Sequence, residues 1–169
     1  VQSARGCKYR CTFCSQAILL AVSQLNNLMD YIKYLSNSSN SKKINILFED
    51  ATFTSDRRRT LEFCQKLLDL KELFGIEVSW GCQTRTDCLD EELVEKMSGS
   101  GCVYVYSGVE SLNIESLKLV VKAINYIGYA SPVEKIENTL STLKKKGIMT
   151  GCSIIVGLQT DNTESFSFT

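Results

Sequence analysis

A regular alternation of short apolar stretches with longer amphipathic ones constrains the fold of this chain more than any other feature. Four short stretches have the length and apolar character of buried strands: residues 44–48, 76–80, 102–106 and 152–156. Between them, apolar residues recur every three or four positions, which is the pattern of a helix with one buried face. Parallel strands need such crossover helices and are buried on both faces. The alternation therefore predicts an α/β fold with a parallel sheet.

Capping residues and glycines mark the predicted helix boundaries. The first amphipathic stretch begins at Ile18 and continues to Leu35, where the polar run 36–41 ends it. A second helix follows the capping residues at 54–56 and ends at Gly75. The remaining predicted helices cover residues 90–97, 114–127 and 133–146.

Polar residues follow each predicted strand. Because the carboxyl ends of parallel strands meet at one edge of a sheet, ligand chemistry in such folds is expected at that edge. The residues in question are Arg5 and Gly6 after a strand-like stub at 1–4, Glu49 and Asp50, residues 83–85, residues 107–110, and Gly157.

The composition excludes several kinds of chemistry. The chain has 169 residues, eight cysteines and no histidine. Without imidazole, Ser-His-Asp and Cys-His catalysis and His-ligated zinc or haem are excluded. Nineteen basic and nineteen acidic residues give a net charge of zero, which removes the long-range field that draws a protein onto nucleic acid. We therefore expect no nucleic-acid partner, and no membrane span because no apolar run approaches about 18 residues.

Three of the cysteines lie within eight residues. Cys7, Cys11 and Cys14 form a C-x3-C-x2-C run directly after a predicted strand end. Three thiolates on a short loop can hold three irons of a four-iron four-sulfur (4Fe–4S) cluster and leave the fourth iron without a protein ligand. Two alternatives stay open at this point. The spacing also places the cysteines on one face of a helix, as core residues, and a zinc ion could recruit a distant fourth cysteine.

The other five cysteines are scattered along the chain. We interpret all five as structural thiols in a reducing compartment, since their spacing suggests no disulfide framework. Cys64, Cys102 and Cys152 fall at apolar positions and are expected in the core, whereas Cys82 and Cys88 flank Arg85 and are too few ligands for an auxiliary cluster.

From Arg5 to Cys14 the sequence resembles the cluster-binding loop of the radical S-adenosylmethionine (SAM) superfamily, including an aromatic residue, Phe13, before the third cysteine. Further segments resemble its cobalamin-binding and methylthiotransferase-like members in the same order: residues 48–54, 85–87, 108–111 and 147–158. The resemblance covers nearly the whole chain. It implies a partial (β/α) barrel, TIM-barrel-like, of which residues 1–169 form the core domain. With a partial first strand and no sixth strand, that domain is expected to be truncated at both ends.

The resemblance also implies an activity and its cofactors. In that family the iron without a protein ligand binds SAM, and reductive cleavage of SAM yields a 5′-deoxyadenosyl radical. The substrate is then modified by hydrogen abstraction or by methyl or methylthio transfer. Carried onto this sequence, Cys7, Cys11 and Cys14 ligate iron. The residues implied to contact SAM are Phe13 at the adenine, Glu49 or Asp50 at the ammonium group, Arg85 at the carboxylate, Glu110 with Ser111 at the ribose hydroxyls, and Gly108 and Gly157 in the adjoining backbone.

The partners implied are a small-molecule or peptide substrate and an electron donor such as a flavodoxin or ferredoxin, in the cytoplasm. A cobalamin would be bound by a region outside this chain. No catalytic residue is identified. The alternative function is that of a non-catalytic α/β domain that binds zinc or a structural cluster through the same three cysteines.

Overall fold

A computed structural model describes residues 1–15, 21–22, 24–120 and 127–161 of the chain. A short antiparallel pair comes first, formed by β1 (Ala4–Arg5) and β2 (Ala21–Val22). The main sheet has four parallel strands that lie side by side in chain order: β3 (Lys43–Phe48), β4 (Glu77–Arg85), β5 (Cys102–Glu110) and β6 (Met149–Ile154). The predicted α/β class with a parallel sheet is confirmed.

Helices alternate with the strands of the main sheet. They are α1 (Leu25–Ser38), α2 (Arg57–Phe74), α3 (Glu91–Gly99), α4 (Ile114–Leu119) and α5 (Pro132–Lys145), with single turns of 3₁₀ helix at Phe53–Ser55 and Thr86–Cys88. Helices α1, α2, α3 and α5 pack on one face of the sheet. In the part of the chain that the structure describes, no helix has both the length and the apolar character to cross a membrane.

The predicted capping residues begin and end the helices as expected. The Asp56 carboxylate accepts a hydrogen bond from the Arg59 N–H and begins α2, and Asp90 begins α3 by the same kind of bond. Gly75 ends α2 in the left-handed conformation, with φ of 65°, which glycine adopts without steric cost. These local signals fixed the order and spacing of the elements correctly.

Several boundaries differ from the sequence-based expectation. Strand β5 continues to Glu110 instead of ending at residue 106, and β6 covers Met149–Ile154 instead of residues 152–156. The first helix begins at Leu25, because Val22 lies in β2; Ile18 is outside the described residues. Strand β4 continues five residues beyond Trp80, to Arg85. The prediction stopped too early because it required continuous apolar residues, whereas the end of β4 carries polar side chains. Residues 121–126, expected to be helical, lie outside the described residues.

An aromatic cluster in the core fixes β3 against β4 beneath the strand ends. The Trp80 side chain is fully buried, and its ring centroid lies 5.2 Å from that of Phe63 and 6.2 Å from that of Phe48, both edge to face. The Trp80 Nε1–H donates to the Ser100 carbonyl at 3.2 Å, so its polar atom is also satisfied. The strands therefore present their carboxyl ends from a rigid base.

Of the three scattered cysteines expected in the core, the structure confirms Cys64 and Cys102. Cys64, Cys82 and Cys102 are at most 5% exposed and belong to the core. Cys152 is exposed, so its assignment to the core was wrong. It lies on β6, the outermost strand of the described sheet, where a neighbouring strand covers only one side.

Candidate functional site

The N-terminal segment is fastened to the end of β3. The Val1 nitrogen donates to the Leu47 carbonyl at 2.8 Å, and the Glu49 N–H donates to the Val1 carbonyl at 2.9 Å. Asp50, which is 1% exposed, accepts hydrogen bonds from the Ser3 N–H at 2.6 Å, the Ser3 hydroxyl at 2.5 Å and the Ala4 N–H at 3.0 Å. These contacts place the following loop across the carboxyl edge of the sheet.

One cavity of about 230 Å³ brings this loop together with the strand ends. All three clustered cysteines line it, although at least 71 positions of the sequence separate them from Arg85 at the end of β4. The predicted site residues on its lining are Cys7, Cys11, Phe13 and Cys14 from the loop and Arg85, Gly108 and Glu110 from the strands.

The three cysteines fit a polynuclear iron cluster. They form no disulfide bond, they are partly or largely exposed, and they lie in a loop without helical structure, so their interpretation as core residues of a helix is wrong. Within the described ranges, no three Cys, Asp or Glu side chains converge on one point. A cluster takes one thiolate at each iron, so its ligands surround a cavity instead of meeting at a single ion. The Cys7 thiol also lies 3.5 Å from the Thr52 hydroxyl.

Arg85 lies between the end of β4 and the cysteine loop. Its Nε and Nη2 atoms donate to the two carboxylate oxygens of Asp87 at 2.8 and 2.9 Å, and its Nη1 atom donates to Cys11 Sγ at 3.4 Å. The Tyr9 ring covers its planar face, with 4.1 Å between the guanidinium carbon and the ring centroid. Burial alone lowers the pKa of Arg85, but the hydrogen bonds and charge of Asp87 outweigh it and raise that pKa.

Tyr9 joins this group to a further cysteine. Its hydroxyl lies 2.9 Å from Cys88 Sγ. Burial, together with that hydrogen bond, raises the pKa of Tyr9, so the phenol stays neutral beside the cavity. Neither Tyr9 nor Asp87 was assigned a role from the sequence. The position of Asp87, two residues after Arg85 at the strand end, could have indicated its pairing with Arg85. No sequence signal indicated the role of Tyr9.

Glu110 is aimed into the cavity by an irregularity of β5. The pairing of β5 with β6 shifts between Gly108 and Glu110, and the Ser111 N–H donates to the Val109 carbonyl at 2.9 Å in a γ-turn centred on Glu110. Glu110 has a φ of 65°, which costs a residue with a Cβ about 1–2 kcal/mol. Such strain is concentrated at functional sites. Its carboxylate accepts a weak hydrogen bond from the Ser153 hydroxyl at 3.4 Å.

Four predicted site residues lie outside the lining of this cavity. Glu49 is exposed, and Asp50 is engaged with Ser3 and Ala4 as described above. The buried Ser111 accepts a hydrogen bond on its hydroxyl from the Asn113 N–H at 3.0 Å. Gly157 has a φ of 90°, and its N–H donates to the Asp161 carboxylate at 2.9 Å.

Several lining residues were not assigned from the sequence. They lie near the ends of the strands or in the turn after β3, positions that become visible only once the strand bounds are known: Ala51, Thr52, Gln83, Thr84, Tyr106 and Ser153. The Thr84 hydroxyl bonds that of Thr54 at 2.5 Å and fixes the turn after β3 to β4.

Residues 1–168 match the family model of the radical SAM superfamily, and the chain belongs to that superfamily. Membership implies a 4Fe–4S cluster and SAM as cofactors, and it does not favour the zinc alternative.

Two curated relatives of this chain are a cyclase and a methyltransferase. The chain is 30% identical over 171 residues to the anaerobic magnesium-protoporphyrin IX monomethyl ester cyclase of Rubrivivax gelatinosus, covering 98% of this chain and 28% of that protein. It is 25% identical over 173 residues to an uncharacterized methyltransferase of Pyrococcus horikoshii, covering 100% of this chain and 35% of that protein.

Among solved structures, the radical SAM methyltransferase TsrM of Kitasatospora setae, with cobalamin and a 4Fe–4S cluster bound, superimposes with a TM-score of 0.82. The sequence identity is 17%, and the match covers 98% of this chain and 32% of that one. The likeness confirms the partial, TIM-barrel-like fold. The chain thus spans about a third of the length of the proteins it matches.

Proposed function

We propose that this chain is the SAM-cleaving core of a radical SAM enzyme that modifies its substrate by methyl transfer or by a reaction beginning with hydrogen abstraction. The observation that carries the proposal is that Cys7, Cys11 and Cys14 lie on the walls of one cavity with Arg85 and Glu110. When bound, the cluster and SAM supply a 5′-deoxyadenosyl radical. The residues of this chain bind these cofactors, orient them and limit the access of water.

The cysteine loop is proposed to ligate iron through three thiolates. Cys14 is exposed and Cys7 and Cys11 are partly exposed, so iron reaches all three without unfolding of the sheet. Three thiolates leave one iron of the cluster open to a non-protein ligand. The amino and carboxylate groups of SAM can bind that iron together, because they are attached to the same carbon atom and can act as a chelate.

The proposed SAM contacts use the remaining lining of the cavity. Phe13 is 43% exposed, and its aromatic side chain is the group that we propose for contact with the adenine. Glu110 is a carboxylate held in place by its strained backbone, and it can accept hydrogen bonds from two ribose hydroxyls, with Ser111 and the backbone at Gly108 beside it. Glycine at 108 allows the ligand to approach the backbone closely.

Two acidic residues were expected at the ammonium group of SAM. Both oxygens of Asp50 accept hydrogen bonds from Ser3 and Ala4, so we assign Asp50 to holding the N-terminal segment. Glu49 is exposed at the same strand end, and it is the residue that we propose for the ammonium group. We propose a backbone contact of Gly157 near the adenine; because its N–H already donates to Asp161, the carbonyl is the group that we propose for this contact.

Further partners are proposed from the relatives and from the free thiols. TsrM binds cobalamin, and the curated relatives include a methyltransferase and a cyclase. We therefore propose a cobalamin bound by a region outside this chain, a small-molecule or peptide substrate, and a flavodoxin or ferredoxin as electron donor. Buried free cysteines such as Cys64 and Cys82 favour a reducing compartment, the cytoplasm.

Anaerobic reconstitution of the gene product that contains this sequence tests the proposal. We expect about four irons and four sulfides per chain, and an electron paramagnetic resonance signal of the reduced protein that changes when SAM is added. Cys11→Ala should abolish both the signal and the formation of 5′-deoxyadenosine.

Cys64→Ala is the matched control, because Cys64 is a buried thiol of the core that does not line the cavity. It should retain both the signal and the product. A protein that binds zinc without iron, or a cluster whose signal is indifferent to SAM, would support the non-catalytic metal-binding domain. Equal losses in the two variants would show that the cysteines are wrongly sorted.

A further inference from the structure

We propose that Arg85 is a positioning residue for the cluster loop, residues 7–14, and that its hydrogen bond to Cys11 Sγ raises the reduction potential of the cluster bound there. The inference rests on the proposed function, since it concerns the cluster that the three cysteines would hold. It assigns Arg85 to a cluster sulfur in place of the SAM carboxylate expected from the sequence.

The guanidinium group is oriented from three directions. Asp87 accepts from Nε and Nη2, Tyr9 covers one planar face at 4.1 Å, and Nη1 lies 3.4 Å from Cys11 Sγ. The side chains of Arg85 and Asp87 are 8% and 5% exposed. Breaking a buried pair of this kind is strongly destabilising, so the pair is expected to stay formed and to keep Nη1 directed at Cys11.

This geometry leaves the guanidinium poorly placed for a second carboxylate. A two-pronged pair with a carboxylate uses two N–H groups along one edge of the guanidinium. The Nε–Nη2 edge is already occupied by Asp87, and the Nη1 corner is turned towards sulfur. The fixed arrangement favours a role at Cys11, whether or not SAM is bound.

The effect on the cluster follows from charge. Reduction adds one electron, and therefore negative charge, to the cluster and its cysteine sulfurs. N–H donors or positive charges near those sulfurs stabilise the reduced form relative to the oxidised form. Arg85 provides both at Cys11, in a buried setting where charge interactions are weakly screened. Removing it should therefore lower the reduction potential.

Replacing Arg85 alone would remove the cation that balances the buried Asp87 carboxylate, so the test uses a double variant. Arg85→Met with Asp87→Asn removes both charges, and Asp87→Asn alone is the matched control that retains Arg85. Each protein is reconstituted without SAM, and the reduction potential is measured by titration followed by electron paramagnetic resonance. We expect the cluster of the double variant to bind its electron at least tenfold more weakly than that of the control, about 59 mV for a one-electron couple.

Equal potentials in the two variants would overturn the assignment. Equal potentials with a tenfold weaker affinity for SAM in the double variant would instead make Arg85 a SAM ligand. A wild-type protein that takes up no iron contradicts the proposed function itself, whereas the comparison of potentials concerns Arg85 alone.

A second measurement applies if the double variant takes up no cluster. In metal-free protein, the Thr12 N–H donates to the Val120 carbonyl at 3.1 Å and the Cys14 N–H donates to the Cys11 carbonyl at 3.1 Å. If Arg85 holds the loop, hydrogen exchange at these two amides should be at least tenfold faster in the double variant than in Asp87→Asn. Equal exchange rates would overturn the proposal.

Discussion

Replacing Asp50 by alanine is expected to release the N-terminal segment that leads into the cysteine loop. The buried carboxylate accepts three hydrogen bonds from Ser3 and Ala4, at 2.5 to 3.0 Å. Hydrogen bonds to a charged group contribute about 1.5–3 kcal/mol each. Part of that sum is offset because the variant no longer buries a charge. We expect a net loss of about 3 kcal/mol for local opening, which corresponds to about a 100-fold change in the opening equilibrium.

Hydrogen exchange measured by mass spectrometry on metal-free protein reads this opening directly. The amides of Ser3 and Ala4 should exchange about 100-fold faster in Asp50→Ala than in the wild type. Glu49→Ala is the matched control: the residue is adjacent but exposed, and surface substitutions usually change stability by less than about 0.5 kcal/mol. The reasoning is refuted if Asp50→Ala exchanges at the wild-type rate, or if both variants accelerate exchange equally.

Three further outcomes are expected. Gly101→Ala should lower the melting temperature markedly, because the φ of Gly101 is 95° and a Cβ there would lie 2.1 Å from the Val78 carbonyl oxygen. Gly99→Ala is the control and should be neutral or stabilising, since a Cβ at Gly99 would meet nothing within 4 Å. Equal melting temperatures of the two variants would contradict this. Glu110→Gly should raise the free energy of unfolding by about 1 kcal/mol, because glycine relieves the strain of the left-handed backbone. The same variant should weaken SAM binding in a calorimetric titration. An unchanged SAM affinity would count against the proposed ribose contact. Burial raises the pKa of Cys102 to about 12, so its reactive thiolate forms only near that pH. Iodoacetamide at pH 8 should therefore label the cluster cysteines of folded metal-free protein and leave Cys102 unmodified. Rapid labelling of Cys102 would argue against its burial.

The order of elements was predictable because its signals are local. The caps at Asp56 and Asp90 and the left-handed Gly75 are set by neighbours within one helical turn. The extension of β4 to Arg85 was missed, because a strand that ends at a ligand site carries polar side chains that interrupt the apolar pattern. The exposure of Cys152 was missed because it depends on how many strands neighbour β6, which residue type does not reveal.

The candidate site was predictable only in part. The cysteine spacing, with the resemblance it supports, led to the metal ligands and to Arg85 and Glu110, and these do line one cavity. The pairing of Arg85 with Tyr9 across the loop could not be predicted, because it joins residues 76 positions apart through the face of a ring. Asp50 illustrates the opposite case: its acidic character suggested a ligand contact, but its hydrogen bonds reach the main chain of the N-terminal segment instead.

The central claim is that three thiolates of this chain hold a 4Fe–4S cluster and leave one iron for SAM. Mössbauer spectroscopy of protein reconstituted anaerobically with iron-57 tests it most directly, because each iron site contributes separately to the spectrum. On addition of SAM, the account predicts that one iron site in four changes its isomer shift while the three thiolate-bound sites stay the same. Four sites that remain unchanged by SAM, or a protein without cluster iron, would contradict the claim.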